Sequence, residues 1–142
     1  MKVAPFALGA LALVPLHSVA DGVSVVDPSV VSVVTEGYWR SGDLAGTYRV
    51  IVRSGGFEHV SSEVTAEWVA EPAASAKAQT IVASKTLVGG GAFSLGAPVV
   101  ERIRSGVRVK LSGVRTYKPA ESVACIFELG PVRIVVIVAA CK

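Results

Sequence analysis

The chain has 142 residues, of which 51% are hydrophobic, 6% aromatic and 18% charged, with a formal net charge of +3. That apolar share excludes a disordered polypeptide, and the length allows one domain or at most a very small second one. Valine fills 27 positions, a β-branched enrichment that favours strands, and the absence of asparagine excludes an N-glycosylation sequon.

Residues 1–20 read as a cleaved secretory signal peptide. Lys2 supplies the positive start, Val3 to Val14 the apolar run, and His17-Ser18-Val19-Ala20 the small residues before a cut at Asp21. The run is shorter than the roughly 20 apolar residues of a spanning helix, and Pro5 and Pro15 interrupt or close it. The expected mature chain, 21–142, is a single domain without a transmembrane segment. It carries 13 Lys+Arg against 11 Asp+Glu, and a surplus of two charges does not by itself call for nucleic acid or a membrane.

Val23 to Val34 is valine-rich and broken at Asp27-Pro28-Ser29, which suits short strands or a bent edge strand. Glu36 to Asp43 reads as a loop carrying two aromatics, Tyr38 and Trp39. Tyr48 to Arg53 alternates as a strand does. Phe57 to Val69 fits two periods. As a strand, Val60, Ser62, Val64, Ala66 and Trp68 share a face; as a helix, His59, Glu63 and Glu67 stack beside a Val60–Val64–Trp68 stripe. The Gly55-Gly56 turn and the neighbouring strands favour the first. An antiparallel pair must then put Tyr48, Val50 and Val52 on the face of Val60, Val64 and Trp68. The expected register sets Tyr48 opposite Val64, Arg49 opposite Glu63, Val52 opposite Val60 and Arg53 opposite His59, around a loop from Ser54 to Glu58.

Gln79 to Val88 is a further strand, closed by Gly89-Gly90-Gly91. Phe93 to Pro98 is irregular and Val99 to Arg104 a short strand. Val107 to Thr116 alternates, with a phase change that suggests a bulge at Gly113. Val123 to Leu129 and Val132 to Ala140 close the chain on either side of Gly130-Pro131. The last run is apolar on both faces, as a central strand is. Strands at this spacing without a convincing helix predict an all-β antiparallel sandwich, immunoglobulin-like in general architecture.

The two cysteines, Cys125 and Cys141, are expected to form one disulfide in an exported chain. A tight hairpin at Gly130-Pro131 would leave Cys141 roughly 17 Å past the point opposite Cys125. Bridged Cα atoms lie within about 7 Å, so the final strand must depart from a tight hairpin, by crossing to the other sheet or bending back.

No constellation for catalysis stands out. His59 is the only histidine of the mature chain, no Gly-x-Ser-x-Gly elbow is present, and serines and aspartates are available without being indicated. His59, Glu63 and Glu67 approach a metal only on a helix, because four residues along a strand span about 13 Å. The triple glycine lacks the Gly-Lys-Ser/Thr ending of a phosphate loop, and no cofactor motif is found. Two features remain. Arg102, Arg104, Arg108, Lys110, Arg115 and Lys118 fall within seventeen residues and could form an anion-binding face, or be neutralised within the fold. Tyr38 and Trp39 could stack on sugar rings if exposed. With Tyr117 as its one aromatic, the basic segment does not suit nucleic acid. These readings describe a secreted or periplasmic, non-enzymatic binding or structural protein whose partner is an anionic envelope component or another protein. A small secreted hydrolase inhibitor presenting Gly89–Pro98 or Glu36–Asp43 is the alternative, and a hydrolase using His59 ranks third.

Overall fold

The computed structural model describes residues 27–72 and 78–142. The expected signal peptide, the expected strand before Asp27 and most of the alanine-rich connector lie outside the described residues. Among the described residues, nine strands form two antiparallel sheets in a sandwich-like arrangement, and no helix occurs. The first sheet is a meander of β1 (Val30–Ser41), β2 (Leu44–Gly55), β3 (Ser61–Ala70) and β4 (Thr80–Val88). The second contains β5 (Phe93–Leu95), β6 (Val99–Ile103), β7 (Gly106–Arg115), β8 (Lys118–Leu129) and β9 (Val135–Ala139). Its order is β5-β7-β8-β9, with β6 pairing the other half of β7's outer edge. The expected two-sheet architecture is present, and consecutive strands are antiparallel neighbours within each sheet except β5 and β6, which share one edge of β7.

Alternation builds the core. Tyr48, Val50 and Val52 of β2 and Val64, Ala66 and Trp68 of β3 meet Val107, Val109 and Leu111 of β7 and Val123, Cys125, Phe127 and Leu129 of β8. All are buried, and removing apolar area on this scale from water, at about 25 cal/mol per Å², drives the two sheets together. Polar pins then fix their offset. The buried Ser62 hydroxyl accepts from the Leu95 N–H at 2.8 Å and donates to its carbonyl at 3.3 Å. Trp68 Nε1 donates to the Gly130 carbonyl at 2.9 Å, and its ring meets Tyr48 edge-on at 6.2 Å. Such pairing removes the penalty of burying these polar atoms unsatisfied.

Several local expectations are corrected. The ambiguous stretch is a strand and not a helix from Ser61 onward, but the β2–β3 register sets Tyr48 opposite Trp68, Arg49 opposite Glu67 and Val52 opposite Val64. The loop is still five residues, now Gly56–Val60, so His59 lies in the loop and not opposite Arg53. The stretch Glu36–Asp43 is not a loop: β1 runs to Ser41, and the turn is the pair Gly42-Asp43, where Gly42 supplies the positive φ of 59°. Gly113 stays in register between Leu95 and Val123, and the irregularity falls after Val114. Phe93–Leu95 is a short strand, because it completes the edge of β7.

The final strand neither crosses to the other sheet nor lies at the sheet centre. β9 is an edge strand, paired among the described residues with β8 alone. The Cys125–Cys141 disulfide forms, with Cα atoms 4.4 Å apart. A loop wider than the tight turn takes up most of the offset. A register shift between Ile126 and Phe127 takes up more, and Ala124 N–H then donates to Lys142 O at 3.2 Å beside the bridge.

Candidate functional site

A G1-type bulge decides the fate of Tyr38 and Trp39. The β1–β2 register shifts between Glu36 and Trp39, and Gly37 sits there with φ 73°. The extra residue turns Trp39 into the core, 2% exposed, with its Nε1 donating to Thr47 O at 2.9 Å. Tyr38 faces out, 52% exposed. Tyr38 and Arg102 line a cleft of about 390 Å³ with Gly37, Ile103 and Gly106, so one member of each sequence-derived candidate meets there.

The basic residues are largely matched by carboxylates. Arg102 binds Glu36 at 2.5 Å, Arg108 binds Glu128 at 2.6 Å and Lys110 binds Glu101 at 2.6 Å. Arg115 and Lys118 share Glu121, at 3.0 and 3.1 Å. Opposed and diagonal positions on neighbouring strands create the Arg108, Lys110 and Arg115 pairs, Lys118 reaches Glu121 along β8, and Arg102 reaches Glu36 across the two sheets. The Arg102 guanidinium and the Gly37 N–H hold Glu36 below the usual carboxylate range. The five paired residues therefore do not present a continuous cationic face.

A different constellation forms where three loops converge at one end of the sandwich. The β7–β8 turn, Thr116-Tyr117, is tied to the β4–β5 loop by the Thr116 N–H donating to Ala92 O at 3.0 Å. The β2–β3 loop brings the His59 ring to 4.8 Å from the Tyr117 ring. Arg115 lies over the half-buried Phe93 ring at 5.7 Å from its centroid, a cation–π contact that holds the guanidinium at the rim. Gly91, Ala92, Arg115, Tyr117 and Lys118 line a cleft of about 320 Å³. Tyr117 is 71% exposed, and Phe57, on the same loop as His59, is 99% exposed. Rings and cations on tight loops above a rigid core suit recognition of a ring-bearing, negatively charged ligand.

Sequence reading singled out Arg115 and Lys118 but not Phe57, His59 and Tyr117 as a group. His59 and Tyr117 are far apart in the chain and on turns of different sheets, and only the packing of the sheets brings those turns together. His59 itself is exposed and stacked, and Glu67, which a helix would have placed beside it, pairs instead with Arg49 at 2.6 Å on β2. Among the described residues no group of three or more His, Cys, Asp or Glu side chains gathers as a metal site would. No helix among them is long and apolar enough to cross a membrane. No known protein family, curated protein or solved structure matches this chain.

Proposed function

We propose that this chain is an exported, non-enzymatic binding protein of the periplasm or cell exterior that takes an acidic polysaccharide of the envelope at the three-loop end. The observation that carries the reading is the meeting of the His59 and Tyr117 rings at a cleft lined by Arg115, Tyr117 and Lys118, with the exposed Phe57 on the same loop as His59. Sugar rings present flat C–H faces that stack on aromatics, and uronate or phosphate groups complement the cations. Glu121 balances one of the two cations, so the site favours a singly charged repeat over a dense polyanion. The disulfide agrees with an oxidising compartment, and the reading of residues 1–20 as a leader supplies the route.

Affinity electrophoresis in gels containing polygalacturonate, with a neutral glucan as control, tests the proposal. Retardation by the acidic polymer alone is expected, with loss in Tyr117→Ala and weakening in Lys118→Glu. Equal mobility in both gels rejects it.

The hydrolase-inhibitor reading keeps one observation in its favour. Phe57 projects from a short loop whose base is the long, regular β2–β3 hairpin, the form of a rigid inserting side chain. The loop concerned is Gly56–Val60, not the two segments expected from sequence. Inhibition of a secreted hydrolase that disappears in Phe57→Ala would select this reading.

A further inference from the structure

The last strand has the composition of a central strand and the position of an edge. Ile134 to Ala140 contains seven consecutive apolar residues and no charge. Ile134, Val136, Ile137 and Val138 are 52%, 51%, 64% and 51% exposed. Soluble proteins blunt free edges with charge, bulges, brevity or cover. The other edges here follow that rule. β1 carries Glu36 and Arg40, is broken by two register shifts and is fastened to β6 through Glu36 and Arg102. β4 carries Lys85 and two register shifts, β6 carries Glu101 and Arg102, and β5 is three residues long. β9 has one shift, near its end, and nothing else.

We infer that β9 pairs antiparallel with β9 of a second copy of this chain, making the second sheet continuous across a two-fold axis. Self-pairing is favoured because the segment is complementary to itself. Centred on Val136, it sets Val136 against Val136, Val135 against Ile137, and Ile134 against Val138. Each is an apolar pair on a matching face, and no like charges are opposed between Ile134 and Val138. The N–H and C=O row of β9 that has no partner among the described residues gains one, which supplies most of the attraction in strand addition. On the inner side the added strand also covers an apolar cleft of about 280 Å³, lined by Leu87, Val88, Phe93, Phe127, Ile137 and Cys141. This inference is independent of the three-loop end, which lies on other loops.

Sedimentation equilibrium of the oxidised mature protein over a concentration series tests it, together with hydrogen exchange of the β9 amides. Mass rising towards twice the monomer, with β9 protection rising in step, is expected. Val136→Lys places an ammonium opposite Glu128, which the monomer tolerates, but sets two lysines against each other across the axis, so dimer should be lost. Val31→Lys, on an exposed position of β1, should dimerise as the parent does. The exchange data need no variant and stand even if one fails to fold. A parent that stays monomeric with exposed β9 amides overturns the inference, as does a dimer that survives Val136→Lys. Concentration-independent protection in a monomer also overturns it, since a segment of the same chain would then cover β9.

Discussion

Gly37 stands where β1 changes the side it presents to the core. A methyl group there would fall 2.3 Å from Val107 Cγ1, in a backbone with φ 73° that side chains rarely adopt. Clash and strain act together, so Gly37→Ala is expected to destabilise by about 2–3 kcal/mol. Chemical denaturation measures it, and a change below about 0.5 kcal/mol would show that the bulge is dispensable. Trp39 fluorescence should report the same event, because the bulge turns its indole inward. The sequence displays Gly37-Tyr38-Trp39 openly, yet turn-forming residues there look like a loop. Only the continued pairing with Gly46, Ala45 and Leu44 shows that the strand goes on.

At the scale of elements, the β2–β3 hairpin shows which forces a sequence exposes and which it hides. The faces were legible, because the even-numbered residues of β2 and β3 must face the same way. Sliding the pair by two residues on each strand preserves those faces, so the hydrophobic pattern cannot choose among such registers. The choice falls to particular pairs. The observed one brings Tyr48 against Trp68, and Arg49 against a nearly buried Glu67, where the expected one set Arg49 against Glu63. An exposed ion pair contributes at most about 1 kcal/mol and is a weak guide beside two large aromatics. Glu67→Ala should therefore cost about 1–2 kcal/mol, since it leaves a half-buried Arg49 without its partner, while Glu63→Ala should change stability by less than about 0.5 kcal/mol. Reversed magnitudes in urea melts would contradict the register. The final hairpin teaches a related point. Spacing alone showed that a tight hairpin and a Cys125–Cys141 bridge are incompatible, but not that a wider loop and a bulge would reconcile them within one sheet. Its closed loop is worth about 3 kcal/mol in the chain-entropy model, so Cys125→Ala with Cys141→Ala should lose that much and free the end of β9 to exchange.

The whole molecule is two meanders fastened by a few polar links, and those links set its response to pH. Alternation, turns and cysteines reveal the meanders, whereas the convergence of His59 with Tyr117 depends on how the sheets stack and has no local signal. Glu36 on β1 and Arg102 on β6 bridge the sheets, and Asp27 braces the entry to β1 by accepting from the Ser29 N–H and hydroxyl. The Ser29 hydrogen bonds hold Asp27 below its ordinary value, as Arg102 does for Glu36. Both carboxylates are depressed, so their contribution is present above the unfolded-state range near pH 4. It is lost as pH falls towards and through the lowered values. Tyr48 behaves in the opposite sense, because burial raises its phenol. The neutral ring's advantage is full below about pH 10 and is lost as pH climbs through the raised value. Thermal melting across pH should accordingly give a plateau with an acid shoulder below about pH 4 and an alkaline one above about pH 10. Glu36→Gln should shrink the acid shoulder, since glutamine does not titrate, and should leave the alkaline one in place. Tyr48→Phe should do the reverse, keeping the acid loss and removing part of the alkaline one. An acid shoulder unchanged in Glu36→Gln would mean that the bridge between the sheets contributes nothing at neutral pH, and that their registry rests on Ser62, Trp68 and the apolar core alone.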